Sequence, residues 1–382
     1  MERIYSWLEV RSRNIAFPWL LCIGLVLLSW SFSPPCFDCF NATAEPWEVV
    51  TRKAADLTDP LTDIPPDSWL SKKVFRLTVP VLMKVFQLQP LHVIIIHFLL
   101  GYLTLVLSYL ISRRITKDAL TSIFFTIAIT FIHFGRASFY DLWLLWFDGF
   151  AYFFLILALF LRHPAGIFLA ATAAAWTDER GFIALGLVYF FHQLVDRSGR
   201  SSIDMIKPVS RGISVLAAMA VYLLMRWYMS NTYGMHTSSK GAELAFLQWT
   251  MRYLPIGAWT FFEGLWLIFF AAALQAIRSR QHFILLIITG SAVLAVAIPG
   301  CVSDITRSGS YFIPLIFIAI AFLATTVDRE QLRRMMGYSA GISLLFPATF
   351  VCIDWGIEKW FQLPIYGEWG LQLLVVILNA MK

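Results

Sequence analysis

Polar residues in this chain are confined to short intervals between long apolar runs, each close to the roughly 20 residues a helix needs to cross a bilayer. The first run covers about 15–33. A segment rich in Pro, Asp and Thr follows. Its end, Val74 to Leu88, has apolar residues at helical spacing beside Lys72, Lys73, Arg76 and Lys84. That pattern predicts an amphipathic helix in the membrane interface. Further spans are predicted at about 91–112, 119–135, 142–161, 212–230, 256–276, 282–299, 311–327 and 338–354. Between 165 and 194 two short apolar halves turn at Thr177-Asp178-Glu179-Arg180, so at least one thin or tilted helix is expected. The tail, Leu371 to Met381, is apolar but short, and either crosses or lies in the interface. The expected fold is all-α, a single integral membrane domain over 1–382. It is a polytopic transmembrane bundle of about 10–11 helices, with 34–90 forming an extracytoplasmic loop plus the interfacial helix.

Basic residues orient this scheme. Arg3, Arg11 and Arg13 keep the N-terminus in the cytoplasm, and basic clusters recur at 113–117, 162–163, 196–211, 278–280 and 329–334, each a predicted cytoplasmic turn. The first outer loop also carries Arg52, Lys53, Lys72, Lys73 and Arg76, which a long translocated loop tolerates. Trp143, Trp146, Trp227, Tyr228 and Trp259 stand near helix ends, as in an aromatic belt.

Composition narrows the classes. Hydrophobic residues make up 59% of the 382 and charged ones 14%, against nearer half and a quarter in a soluble domain. The net charge of +6 does not point to nucleic acid, because the basic residues sit where topology wants them. The partner so implied is the lipid bilayer. The first apolar run ends in Ser-Pro-Pro without a small-x-small cleavage site, so it is read as a retained span. Walker A, G-x-S-x-G, H-E-x-x-H and dinucleotide patterns are missing, and no cofactor or oligomeric state is legible. Cys36-Phe-Asp-Cys39 suits a disulfide on an oxidising side, whereas zinc would need two more ligands.

The acids gather at the predicted outer ends of the helices, where polar groups at membrane depth usually face a cavity or the bundle interior. Asp141 and Asp148, seven residues apart, share a helical face, with Asp148 roughly 10 Å inside the boundary. They are read as a ligand or proton site, or as packing pairs. Asp178, Glu179 and Arg180 form either a carboxylate–guanidinium group in a cavity or a solvated turn. Asp304 and Arg307 are spaced to pair if helical, and Arg307 suits phosphate, unless it snorkels to headgroups. Glu263, among Phe261, Phe262 and Trp266, must be paired, protonated or wet. Arg226 reads as a snorkelling residue.

Taken together, an inside N-terminus, a large acidic loop after the first span, an interfacial helix and charged outer turns resemble the GT-C superfamily of polytopic glycosyltransferases. The likeness covers roughly the first two hundred residues. Phe75-Arg76-Leu77-Thr78-Val79-Pro80 and Thr177-Asp178-Glu179-Arg180 are similar to segments of its bacterial members. The resemblance implies a polyprenyl-phosphate sugar donor, a cell-envelope role and a bacterial inner (plasma) membrane location. It also implies an outer-loop carboxylate as general base, drawn from Asp38, Glu48, Asp178 and Glu179. Arg180 or Arg307 would hold the lipid phosphate, and Asp141, Asp148, Glu263 and Asp304 would line the substrate cavity. The superfamily usually sets an acid, often in a pair, soon after its first span, whereas Asp38, Glu45 and Glu48 here stand singly. Two rival readings remain: a transporter or flippase of a lipid-linked saccharide, and a noncatalytic subunit of an envelope assembly.

Overall fold

The computed structural model describes residues 11–12, 14–32, 35, 40–65, 68–140, 147–196, 209–237, 246–346, 349–352 and 356–359. From the N-terminal side, α1 (Phe17–Phe32) leads through α2 (Glu45–Ala55), a 3₁₀ turn at Trp69–Phe75 and α3 (Thr78–Phe86) to α4 (Pro90–Thr116). Then come α5 (Ala119–Thr130), α6 (His133–Tyr140), α7 (Asp148–Phe160), α8 (Pro164–Thr177), α9 (Glu179–Asp196) and α10 (Ser210–Tyr233). The second half runs through α11 (Phe246–Thr250), α12 (Leu254–Phe262), a 3₁₀ turn at Glu263–Leu265, α13 (Trp266–Arg278) and α14 (His282–Gly300). It closes with α15 (Ile305–Ser310), α16 (Pro314–Thr326), α17 (Arg329–Leu345) and an antiparallel hairpin of β1 (Thr349–Cys352) and β2 (Gly356–Lys359).

Among the described residues the chain is all-α apart from that hairpin, with the apolar helices of a multi-pass membrane protein. Five stretches are long and apolar enough to cross a bilayer: α4, α10, Leu254–Arg278, α14 and Ile305–Thr326. A sixth arises if α5 and α6, bent by 59°, form one span, and α1, α7 and α8 are shorter apolar helices. Four predicted spans differ in detail. The 142–161 helix begins only at Asp148, after Phe147 with a φ of +56°, so Asp148 opens it and does not lie within it. The 119–135 helix breaks after Thr130, and a Cβ on Gly135 would lie 2.1 Å from the Ile129 carbonyl oxygen, so only glycine lets α6 fold back this closely. The 256–276 helix breaks at Glu263, whose φ is +44°. The 338–354 helix is a correction: α17 ends at Leu345, Pro347 cannot continue it, and β1 follows. The polar segment after α1 also holds an ordered helix, α2, that its charge pattern concealed.

Packing sorts the connections to two ends of the bundle. At one end Arg114 donates to the Phe160 and Leu159 carbonyls, Arg211 to Asp196 and the Arg162 carbonyl, Gln275 to the Thr326 carbonyl, and Arg333 to Asp118. The predicted cytoplasmic turns therefore share one end, the basic one. At the opposite end α2, the 3₁₀ turn and α3 lie over the bundle. Trp47, Val50 and Ala54 of α2 pack with Val79 and Met83 of α3 and with Phe147 and Phe150. Val81, Val85 and Phe86 of α3 stay exposed, an apolar face suited to lipid at the interface.

Helix length then sets one helix start back from that end, a recess in the line of helix starts. α4 has 27 residues and α7 only 13. At 1.5 Å per residue α7 spans about 20 Å, too little to cross the hydrocarbon. Its C-terminus is tied to the last turn of α4 through Arg114, so its N-terminus stops short of the other end. The backbone N–H of Gly149 donates to His97 Nε2 at 3.1 Å, and His97 stands seven residues into α4. Asp148 thus lies roughly 10 Å below the start of α4, although it opens α7 and is not carried inside a longer helix. α16 fills the centre, with Leu315 to Ile320 all buried.

Candidate functional site

The recess collects charge from five separate elements. Asp148 begins α7. Asp178 lies between α8 and α9, with Glu179 and Arg180 opening α9. Asp304, Arg307, Ser308 and Tyr311 come from α15 and its flanks, Arg226 from α10 and Arg76 from the end of the 3₁₀ turn. The Asp148 carboxylate accepts from Arg307 Nε at 2.5 Å and from the Tyr311 hydroxyl at 2.7 Å. Asp178 accepts from Arg180 Nε and Nη2 at 2.7 and 2.8 Å, a bidentate pair, and from the Arg180 backbone N–H at 3.0 Å. Arg76 Nη2 reaches the same carboxylate at 3.0 Å and Arg307 Nη2 at 3.5 Å. Arg307 also donates to Asp304 at 2.9 Å, and Arg180 to the Ser308 hydroxyl at 3.0 Å.

Local sequence explains why these side chains converge. The Asp178 carboxylate caps the first turn of α9, where the helix dipole favours an anion. A Cβ on Gly181 would lie 2.5 Å from the Ala174 carbonyl oxygen, so glycine lets α8 and α9 close around that cap. β1 pins α15: the Val351 N–H donates to the Thr306 hydroxyl at 2.9 Å, and Asp304 pairs with Cys352 across an isolated bridge.

A gradient of exposure runs through the cluster. The Asp148, Asp178 and Arg307 side chains are 1%, 1% and 5% exposed, whereas Glu179, Arg226 and Asp304 are 31%, 25% and 19%. Glu179 sits in the open part with looser partners, 3.6 Å from both Arg76 Nε and Arg226 Nη1. Lys72 stands beside this rim. Burial, then the charges of Arg76 and Arg180, push its ammonium pKa down. Arg76, Arg180, Arg226, Arg307 and Lys72 face Asp148, Asp178, Glu179 and Asp304, so the group is positive by one. Beside it a narrow crevice is lined by Lys53, Lys73 and Arg76 with Val50, Pro80 and Phe147. The recess is thus chemically suited to an anion entering from the rim. The Glu179 carboxylate stands at its edge.

Five of the predicted site residues meet directly here: Asp148, Asp178, Arg180, Asp304 and Arg307; Glu179 joins at the rim. Glu48 does not: it lies exposed on the face of α2 away from Trp47 and Val50. Glu263 is buried elsewhere, against α17. Asp38 and Asp141, like the Cys36–Cys39 pair, lie outside the described residues. Arg226 is not a snorkelling residue. It turns inward, donates to the Tyr222 hydroxyl at 2.6 Å and to Thr237 at 3.0 Å, and stacks over Phe75 at 4.3 Å. Arg76 and Tyr311 were not singled out from the sequence as site residues. Arg76 had a signal in the Phe75–Pro80 segment; Tyr311 had none. Among the described residues no three His, Cys, Asp or Glu side chains are grouped to hold a metal ion. No family model, curated protein or solved structure matches the chain.

Proposed function

We propose that this protein is a membrane glycosyltransferase of the GT-C kind, taking a sugar from a polyprenyl-phosphate donor at the extracytoplasmic face of a bacterial inner membrane. The observation that carries the reading is the net-positive charge cluster at the end of the bundle that carries α2 and α3, buried at Asp148 and Asp178 and more exposed at Glu179 and Arg226. In this reading the basic end is cytoplasmic. The prenyl chain stays among the helices, and its phosphate meets Lys72, Arg76 and Arg226 at the rim.

The chemistry follows from the gradient. Asp178 is a poor base, since guanidinium groups occupy both of its oxygens and favour the ionised form. Glu179, with longer contacts and more exposure, is the general base that takes the proton from an acceptor hydroxyl. The acceptor oxygen bonds to the anomeric carbon as the bond from that carbon to the phosphate oxygen breaks. The departing polyprenyl phosphate gains charge, which Arg180 and Arg307 stabilise from below. Asp148, Asp178 and Asp304 hold those two arginines in place.

Turnover of polyprenyl-phosphate sugars by the purified protein in lipid nanodiscs tests this. Wild type releases polyprenyl phosphate, and Glu179→Gln keeps donor binding but loses at least about a hundredfold in rate. Arg76→Ala weakens donor binding. The absence of both binding and turnover across a broad donor panel sinks the proposal, and weight then moves to a transporter or an envelope scaffold.

A further inference from the structure

Glu263 is the buried acid that the charge cluster leaves aside. It stands at the break between α12 and α13, within the spanning stretch Leu254–Arg278, and is 1% exposed. Nine residues separate it from Leu254, roughly 13 Å along a helix, so it is near mid-membrane. Neither carboxylate oxygen has a hydrogen-bond partner among the described residues. Its φ of +44° and ψ of −118° suit glycine rather than glutamate, so the surrounding structure must hold it there.

The neighbours are known on each side. α17 presents Met336, Ser339, Ala340 and Ser343, none ionisable, and Ser343 Oγ is engaged by the Gly264 N–H at 3.2 Å. α12 presents Thr260, whose hydroxyl is bound to the Gly257 carbonyl and to Thr306. Phe262 and Leu265, beside Glu263 along the chain, are buried and apolar. The titratable and charged groups come from α6, which packs on α12: His133, stacked on Phe350, and Arg136, whose charge reaches Glu263 without closing to an ion pair.

An ionised carboxylate at this depth is costly unless paired or wet, and Glu263 is buried with neither oxygen hydrogen-bonded among the described residues. We infer that Glu263 is an intramembrane proton-binding site: it carries a proton in this conformation, and Arg136 is the counter-ion that stabilises it when the proton leaves to water. The break beneath it supplies the joint, because Glu263 can approach Arg136 by swinging α12 relative to α13. The inference does not depend on the transferase reading.

Infrared spectroscopy of the full chain in lipid tests it. At neutral pH wild type shows the carbonyl stretch of a protonated carboxyl. The band shifts when glutamate carboxyls are labelled with ¹³C, and it is missing from Glu263→Gln. Arg136→Gln raises the pH at which the band is lost by about one unit or more, since a nearby opposite charge favours the ionised form. Absence of a protonated glutamate band at neutral pH overturns the site, and a midpoint unmoved by Arg136→Gln overturns the counter-ion role. Should Glu263→Gln fail to fold, Glu263→Asp decides: its band no longer shifts with the glutamate label, and a band that still shifts overturns the site.

Discussion

Asp148 and Asp304 both accept from Arg307, yet their surroundings give them different weights. Asp148 is buried, and removing it leaves a guanidinium without a main partner where water is scarce. Asp148→Ala is expected to destabilise by roughly 3–5 kcal/mol, as for other buried pairs broken on one side. Asp304 is 19% exposed and its loss leaves Arg307 paired with Asp148, so Asp304→Ala should cost less than Asp148→Ala. Thermal unfolding in one detergent compares the two, and equal losses would contradict the assigned depth of the recess. Asp148, Asp178, Arg180 and Arg307 were legible in the sequence because a charge inside an apolar run needs a reason. Arg226 was misread and Arg76 passed over, since a basic residue at a helix end can turn either way and only its neighbours decide.

Two elements carry predictions of their own. The 3₁₀ turn after α12 meets α17 so closely that a Cβ on Gly264 would lie 2.1 Å from the Ser339 carbonyl oxygen. Gly264→Ala must push helix backbones apart and is expected to lower the unfolding temperature sharply. Gly341→Ala, on α17 with nothing within 4 Å of its Cβ, should instead stabilise by about 0.4–1 kcal/mol. In α2, Lys53 is buried with its ammonium donating to the Leu57 and Asp59 carbonyls at 2.8 Å each. Burial pushes its pKa down to about 8, from 10.5. Between those values the unfolded segment binds more protons than the folded one. Its stability therefore rises with pH across that window, while the charged form remains penalised below it. Resistance of the α2 segment to proteolysis should increase from pH 8 to 10, and Lys53→Gln should abolish the dependence. The helices themselves were foreseen where the apolar runs were unbroken. The breaks at Phe131 and Glu263 were not, since a helix interrupted by tertiary contacts keeps the same apolar pattern.

The two ends of the whole molecule make the remaining prediction. Cysteines placed at the exposed positions Asn41 and His236 should react with an impermeant thiol reagent from one side of the membrane. Those at Lys117 and Ser279 should react from the other, against the background of the native cysteines. Labelling of Asn41→Cys and Lys117→Cys from the same side would refute the arrangement. By itself the sequence determined the all-α class and the stretches long and apolar enough to cross a bilayer. Hydrophobic length and the placement of Lys and Arg are local properties, and the bilayer converts them directly into topology. Only the tertiary structure decided which charges meet. Arg76, Asp148, Asp178, Arg226 and Arg307 come from five separate elements, and their pairing is set by the short α7, the closely packed turn between α8 and α9, and the hairpin that pins α15. No local pattern encodes those contacts.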